Sequence, residues 1–374
     1  MDKKIAVILP RIEGFSEADF GAITLCIKDN YLFSQYKSNI TIFGGKTKQE
    51  ESYQGVNYRY IPTERLRHLC LSKNKAFAKE LINILKKEKF DLVEVHNRSK
   101  VAKYLSKHLS IPICQHLHND INDDAKSQDN LEFRRNVLSF SEHIYCVSDY
   151  VRQRLLEGLP EFQDKASIVY NGLDIEAFSN DSQAIKTNKI IFVGRITKEK
   201  GALESLHAIN QLFDQLNDWE AVFIGGFSKK YYAYIEEFKA GLNKHPKRVR
   251  HYTHMEFNDV MKQMFSSKIA VLPSQWEEPF GRTVLEAIIA KLAIVTCKSG
   301  GIPEISGANA LYAKKQNIES LIENIRHFID DQELRCKYSA KALKESKKKF
   351  NIRVTTKKLD DIRRDILNDA KENI

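Results

Sequence analysis

No run of about eighteen apolar residues occurs in this 374-residue chain, so no segment reads as a membrane-spanning helix. No Cys-x-x-Cys pair occurs either. Cys26, Cys70, Cys114, Cys146, Cys297 and Cys336 are scattered, several inside apolar strand patterns where cysteine acts as a small hydrophobe. A structural zinc is therefore not expected, and a reducing cytoplasm is. The Walker phosphate loop and the Gly-x-Gly-x-x-Gly fingerprint are both missing, which removes the P-loop nucleotidases and disfavours a Rossmann dehydrogenase. There is no Asp-x-Asp triplet, solenoid repeat or low-complexity tract. The apolar run from Ile5 to Leu9 is too short for a signal-peptide core and meets Pro10-Arg11 at once, so it reads as a first buried strand.

What the chain does have is length and positive charge. It is long enough for two domains, and its 42% hydrophobic content supports buried cores. The formal net charge is +10. Part of the excess lies in one window, where Arg59, Arg65, Arg67, Lys73, Lys75, Lys79, Lys86, Lys87 and Lys89 face only Glu64, Glu80 and Glu88. A second basic run covers residues 337–349. Two readings stand for the first window: a solvated surface, or a contact with an anionic membrane surface. The same stretch carries Ala76, Phe77, Leu81, Ile84 and Leu85, which suit packing on a domain core. Nucleic acid is not an expected partner, because no nucleic-acid-binding motif accompanies the charge.

Short apolar strands alternate with amphipathic helical stretches, the pattern of a parallel sheet covered on both faces. Strands are expected at 5–10, 40–44, 57–61, 92–96, 111–116 and 144–148, with helices at 19–35, 73–87, 100–108, 130–140 and 149–156. A polar run over 179–188 marks the domain boundary. The rhythm then restarts, with strands at 190–193, 221–224, 249–252, 269–272 and 294–297 and helices at 201–216, 229–242, 258–265, 282–290 and 318–330. From 332 the chain reads as helical almost to its end, with a break near Asn351. The expected fold class is α/β: two doubly wound Rossmann-like domains, 1–175 and 186–351, facing across a cleft where strand ends gather ligands.

The chemistry concentrates in the second half. Pro273-Ser-Gln-Trp-Glu-Glu-Pro-Phe-Gly-Arg-Thr-Val-Leu-Glu286 carries an apolar strand into a polar loop and then a helix. Glu278 falls in the loop and Glu286 early on the helix. A helix N-terminus attracts phosphate, and carboxylates accept hydrogen bonds from hydroxyls, so the turn suits a polyhydroxylated anionic ligand such as a nucleotide sugar. Upstream, Gly194-Arg195-Ile-Thr-Lys-Glu-Lys200-Gly201 places two cations between a strand and a helix, fit for a diphosphate. In the first half, Ile111-Pro-Ile-Cys-Gln-His116-Leu-His118-Asn119-Asp120 ends a strand in histidines, and His96-Asn97-Arg98 ends the preceding one.

The ordered set Gly194-Arg195 with Lys200-Gly201, Glu278-Pro-Phe-Gly281 with Glu286, and Gly300-Gly301-Ile-Pro303-Glu304 resembles the nucleotide-sugar half of glycosyltransferase family 4, retaining enzymes of the GT-B fold such as those of bacterial lipopolysaccharide and surface-glycan synthesis. Asn171-Gly172-Leu173-Asp174 is similar to that family's interdomain strand end. The resemblance implies that Arg195 and Lys200 hold the diphosphate and that Glu286 meets the ribose hydroxyls. It implies that Glu278 meets the donor sugar, with Gly194 and the backbone of Phe280 and Gly281 nearby. Glu277 competes with Glu278 on bland chemistry, and the spacing to Glu286 decides between them. Trp276 reads as a packing residue. His118 is implied as the histidine beside the donor sugar, with His116 as the alternative and His96 and Asn119 lining the acceptor side. The family's glycine loop after the first strand has its nearest counterpart at Gly21-Ala22, and Gly21 is expected to let a phosphate approach.

The expected activity is that of a metal-independent hexosyl- or N-acetylhexosaminyltransferase without cofactor. Its donor is a nucleoside-diphosphate sugar, uridine favoured over guanosine. Its acceptor is a surface glycan or glycolipid of the lipopolysaccharide core, O-antigen or capsule kind. The expected location is the cytoplasm, at the inner membrane face. The first domain would take the acceptor, the second the donor, and a terminal helix of about 352–374 would return to the first. A nucleotide-sugar epimerase, a phosphorylase and a non-catalytic nucleotide-sugar-binding protein are the competing readings.

Overall fold

The structure is a computed structural model and describes residues 3–62, 72–121, 131–178, 184–228 and 230–372. Arg65, Arg67 and Glu64 of the basic window, and Cys70, lie outside the described residues. The chain divides into one unit of Met1–Leu173 with Ile352–Ile374, and a second of Asp174–Asn351.

In the first unit the strands are β1 (Ile5–Ile8), β2 (Ile40–Gly44), β3 (Tyr58–Tyr60), β4 (Leu92–His96), β5 (Ile113–Leu117), β6 (Ile144–Cys146) and β7 (Ala166–Ile168). They form a parallel sheet in the order β3-β2-β1-β4-β5-β6-β7, with Ile5 opposite both Ile40 and Leu92. Four-residue β1 is buried at every position, the mark of a parallel strand covered on both faces. The helices α1 (Ala22–Phe33), α2 (Lys73–Glu88), α3 (Ser99–Ser106), α4 (Leu131–Phe140) and α5 (Asp149–Leu156) lie between the strands. Side-chain caps set the starts of two: Ser72 accepts from the Lys75 N–H and Ser148 from the Val151 N–H. The apolar residues of α2 are used internally. Ala76, Phe77, Leu81 and Leu85 are buried with Ile8, Phe43 and Val93, and Ile84 packs against them.

The second unit repeats the plan with β8 (Lys189–Val193), β9 (Glu220–Ile224), β10 (Val249–Tyr252), β11 (Ile269–Leu272), β12 (Ala293–Cys297) and β13 (Leu311–Ala313). Its parallel order is β10-β9-β8-β11-β12-β13. The helices are α6 (Ala202–Phe213), α7 (Tyr232–Leu242), α8 (Phe257–Ser266), α9 (Arg282–Ile289), the five-residue α10 (Ile302–Ser306), α11 (Ile318–Asp330) and α12 (Gln332–Lys349). Strand β13 and helix α10 have no counterpart in the sequence expectation, because so few strand and helical residues carry too little periodicity to register.

In both sheets the order reverses once, between β1 and β4 and between β8 and β11. Ligands of doubly wound sheets sit outside the strand C-terminal ends at such a reversal.

The division falls at Leu173/Asp174, ahead of the polar run over 179–188. Phe178 packs against Phe257 and Phe265, with ring centroids 6.2 and 6.0 Å away, so the chain already contacts the second unit before its polar run begins. The return crossing is at Asn351, where α12 has ended and α13 (Ile352–Glu372) begins. Helix α13 belongs to the first unit, where Leu359, Ile366 and Leu367 join the core of Ile5, Ile27 and Leu92.

Candidate active site

Two loops of the second unit meet at the β8/β11 reversal. The residues after β8 reach Gly201, and those after β11 run from Pro273 to Gly281. They are joined through backbone: the Gln275 N–H donates to the Glu199 carbonyl at 2.8 Å. The Lys200 ammonium forms an ion pair with Glu278, which also accepts from the Ser274 hydroxyl at 2.6 Å. Glu278 is buried and Lys200 half-buried, so the pair is only partly screened by water and stronger than a fully exposed ion pair. Lys200 also lies 5.5 Å from the Trp276 ring centroid. Trp276 is thus a contact of the cation as well as a packing residue.

The glycines of the motifs explain how the loops come so close. Gly201 has φ +68, and a Cβ there would lie 2.4 Å from the Pro273 carbonyl oxygen. Gly300 has φ +51, and its Cβ would lie 2.1 Å from the Glu278 carbonyl oxygen. Both positions need a left-handed backbone and no side chain. Gly301 then donates to the Glu278 carbonyl at 2.8 Å, so the Gly300-Gly301 motif fixes the backbone of the loop that carries Glu278.

Glu286 projects from the second turn of α9, is 7% exposed, and accepts from Arg282 Nε at 3.0 Å. Gly281 caps the start of that helix. The Phe280 side chain is in the core, edge-on to Phe350 at 5.8 Å, so only its backbone can face a ligand. Glu277 is held elsewhere, by Lys315 and the Gly300 N–H, which separates it from Glu278. Gly194 follows β8 and donates to the Ile224 carbonyl at 2.9 Å, and Arg195 beside it is exposed. Ser274 joins the site without any sequence signal, since a serine one position past a strand-end proline is not distinctive.

In the first unit, three histidines gather at the ends of β4 and β5. His96 Nδ1 is 2.8 Å from His118 Nε2, and the His96 and His116 rings stack with centroids 4.1 Å apart. Asn97, at φ +48, donates its N–H to the His116 carbonyl and accepts from the His118 N–H at 2.7 Å, clamping the two strand ends together. Asn119 is exposed beside them and Asp120 pairs with Arg154. Gly21 is the N-cap of α1 in ordinary extended conformation, and a Cβ there would meet the Glu13 carboxylate at 2.5 Å.

Beneath the histidines lies a pair that sequence reasoning missed. Arg363 of α13 donates through Nε and Nη2 to the two oxygens of Glu94 at 2.8 and 2.6 Å. Burial alone would raise the Glu94 carboxyl, but the guanidinium beside it holds it well below the ordinary carboxylate range. Burial pushes all three histidines down, His96 well below its ordinary value and His118 to about 3, with neighbouring His116 adding to both. They are neutral imidazoles at pH 7.

Glu94, His96 and His116 place ligand atoms within 4.8 Å of one another. The set does not fit a divalent ion, because both Glu94 oxygens are already bound by a buried guanidinium, which a dication would have to displace.

These lowered histidines make stability depend on pH. With folded pKa values below the unfolded one, the unfolded chain binds protons first as the pH falls. The stabilisation is complete above the ordinary histidine range of about 6.5 and declines toward the folded values, by about 1.4 kcal/mol per pH unit for each proton excluded. Urea unfolding is expected to show lower stability at pH 5 than at pH 7, with a shallower slope for His96→Gln; equal stability at both pH values would contradict this.

The fold and the strand-end site define a glycosyltransferase of the GT-B class. Residues 174–345 match the glycosyl transferases group 1 family and residues 39–177 match glycosyltransferase family 4. The chain belongs to glycosyltransferase family 4. Spore coat protein SA of Bacillus subtilis is 26% identical over 381 residues, covering 93% of this chain and 95% of that protein. An uncharacterized glycosyltransferase of Methanocaldococcus jannaschii, MJ1178, is 27% identical over 321 residues, covering 82% of this chain and 85% of its own length. Among solved structures, Anabaena Alr3699/HepE in complex with UDP and glucose superposes with a TM-score of 0.79 at 16% identity, covering 97% of this chain and all of that one.

Proposed function

We propose that this glycosyltransferase transfers a sugar, with retention, from a nucleoside-diphosphate sugar to a hydroxyl of a surface glycan or glycolipid. The observation that carries the reading is the part-buried Lys200–Glu278 pair at the β8/β11 reversal, with Glu286 on the second turn of the adjoining helix. A diphosphate entering there competes with Glu278 for the Lys200 ammonium. Glu278 is released to accept from sugar hydroxyls as Lys200 and Arg195 take up the phosphate charge. Glu286 accepts from the ribose, a role suited to a carboxylate held in one rotamer by Arg282.

As the glycosyl bond breaks, negative charge grows on the leaving phosphate, and fixed cations lower that barrier without a metal. The acceptor hydroxyl approaches from the leaving-group face and gives its proton to the departing phosphate, so no enzyme nucleophile forms a bond. His118, neutral and oriented, offers a hydrogen bond to the donor sugar. The UDP and glucose of the Anabaena neighbour support a UDP-sugar donor, and the likeness to a spore coat protein supports an acceptor in a surface structure.

The test is nucleotide release from UDP-, GDP-, ADP- and TDP-sugars. Slow release from one donor, abolished by Glu286→Ala and unaffected by EDTA, is the expected result. Release that vanished with EDTA and returned with magnesium would overturn the metal-independent part. Interconversion of the sugar while it stayed nucleotide-linked would instead identify an epimerase. Failure of every nucleotide to bind would sink the donor-site assignment.

A further inference from the structure

We propose that Glu94 and Arg363 are positioning residues for the His118 imidazole, so that the C-terminal helix, entering the first unit only after the whole second unit has been made, sets the geometry of the reacting face. The inference rests on the reading of His118 as a donor-sugar contact, and it extends the machinery to two residues that touch no substrate.

The arrangement is a layered one. Arg363 is 3% exposed and grips Glu94, which is wholly buried, with both nitrogens of its fork. On the far side of Glu94, His116 Nε2 stands 3.4 Å from Oε2, too long for an ordinary hydrogen bond but close for a buried charge. His116 stacks on His96, and His96 Nδ1 is hydrogen-bonded to His118 Nε2 at 2.8 Å. Tyr145 covers His116 with ring centroids 4.3 Å apart, and His143 and Cys114 complete the titratable groups around the stack. From the helix side the facing group is Asp360, paired with Arg363 at 2.9 Å and tied to Ser34 and the Gln35 N–H at 2.8 Å each.

This layering has two physical consequences. First, the Glu94 charge is cancelled by Arg363. An isolated carboxylate at that position would draw a proton onto His116 and place an imidazolium against His96, which would reorient the hydrogen bond to His118. Second, the rings have little freedom: strand pairing sets His96 opposite His116, and Asn97 holds the His118 backbone. A cavity of about 10 Å³ borders His96, His116 and Arg363, close to the least volume that holds one water. A water there would satisfy His116 Nε2, which has no hydrogen-bond partner among the described residues.

The test uses the full chain. Arg363→Met alone leaves a buried carboxylate unpaired and is liable to unfold, so the informative variant is the double change E94Q/R363M, which removes both charges at similar volume. Asp360 keeps its Ser34 and Gln35 partners in that variant. Two quantities are measured. One is the imidazole nitrogen NMR spectrum of ligand-free protein, with His118→Asn to assign the His118 signals. The other is kcat and KM for the donor found by nucleotide release. The expected result is a changed His118 tautomer or shift, with kcat down on the order of tenfold to a hundredfold and KM for the donor little altered. Unchanged His118 signals would overturn the proposal whatever the rate. Changed signals with wild-type kcat would overturn it too, since orientation would not matter. A raised KM with kcat intact would point to binding rather than positioning and would likewise count against it. If wild-type protein released no nucleotide from any donor, the functional reading itself would fall, and the NMR spectrum would still decide whether the pair orients His118.

Discussion

Arg363→Met is expected to cost about 3–5 kcal/mol and to unfold the first unit near its physiological temperature, because it strands the Glu94 carboxylate inside the sheet. Glu94 has no exposure and no second cation within ion-pairing distance among the described residues. Asp360 would lose one of its partners as well. Ending the chain after Asn351 is expected to do more. It removes the guanidinium, the apolar contacts of Leu359, Ile366 and Leu367, and the Ile352 N–H that donates to the Leu173 carbonyl at 2.9 Å. The second unit, Asp174–Asn351, keeps its own core of Phe192, Leu206, Phe223 and Ile325. Calorimetry of the truncated chain should therefore show one transition lost and one retained. A melting profile identical to that of the full chain would refute the role given to α13. The conservative comparison is Arg363→Lys, which keeps a charge but only one of the two hydrogen bonds, and should fall between wild type and Arg363→Met.

The second large effect is expected at Lys200. Lys200→Met should reduce kcat for nucleotide release by about 10²–10³, the loss typical of removing one preorganised charge or donor from a developing oxyanion. The effect on folding should be far smaller. Glu278 keeps the Ser274 hydroxyl at 2.6 Å, and the lysine side chain is itself 24% exposed, so water can reach the pair. Activity and thermal stability should thus separate at this position, whereas at Arg363 they fall together. Wild-type turnover in Lys200→Met would remove the residue from the diphosphate site. Glu278→Gln makes the companion measurement. If the ion pair is a resting contact that the diphosphate replaces, this variant frees Lys200 and should tighten binding of free nucleoside diphosphate while slowing sugar transfer.

Much of this was legible in the amino-acid order. Runs such as Ile5-Ala-Val-Ile8 and Ile269-Ala-Val-Leu272 are short and apolar at consecutive positions, as strands buried on both faces are, and their alternation with amphipathic helical stretches made the parallel sheets legible. The loops carrying Lys200, Glu278 and the Gly300-Gly301 pair could be placed because each follows such a strand. Their glycines also had an identifiable use, visible now as left-handed turns against the backbones of Pro273 and Glu278. The break at Asn351 was likewise legible as an interruption in a long polar helical stretch.

Other features were not. A polar run is a reasonable place for a domain boundary, yet Phe178 packs on Phe257 and Phe265 of the second unit ahead of it, because aromatic contacts outweigh the local composition. Glu94 in Leu92-Val-Glu-Val-His96 is a charge inside a strand core and needs a partner. Nothing near it in sequence named that partner, which lies 269 residues away on the last helix. The stacking of His116 on His96 also depends on a register between two strands. Periodicity and motif spacing are local, so the amino-acid order by itself determined the two Rossmann-like sheets, their strand-end loops and the family. Pairing of buried charges and contact between strand ends are long-range, satisfied only when distant segments pack. The tertiary structure alone therefore decided which cation neutralises Glu94 and which histidine meets which.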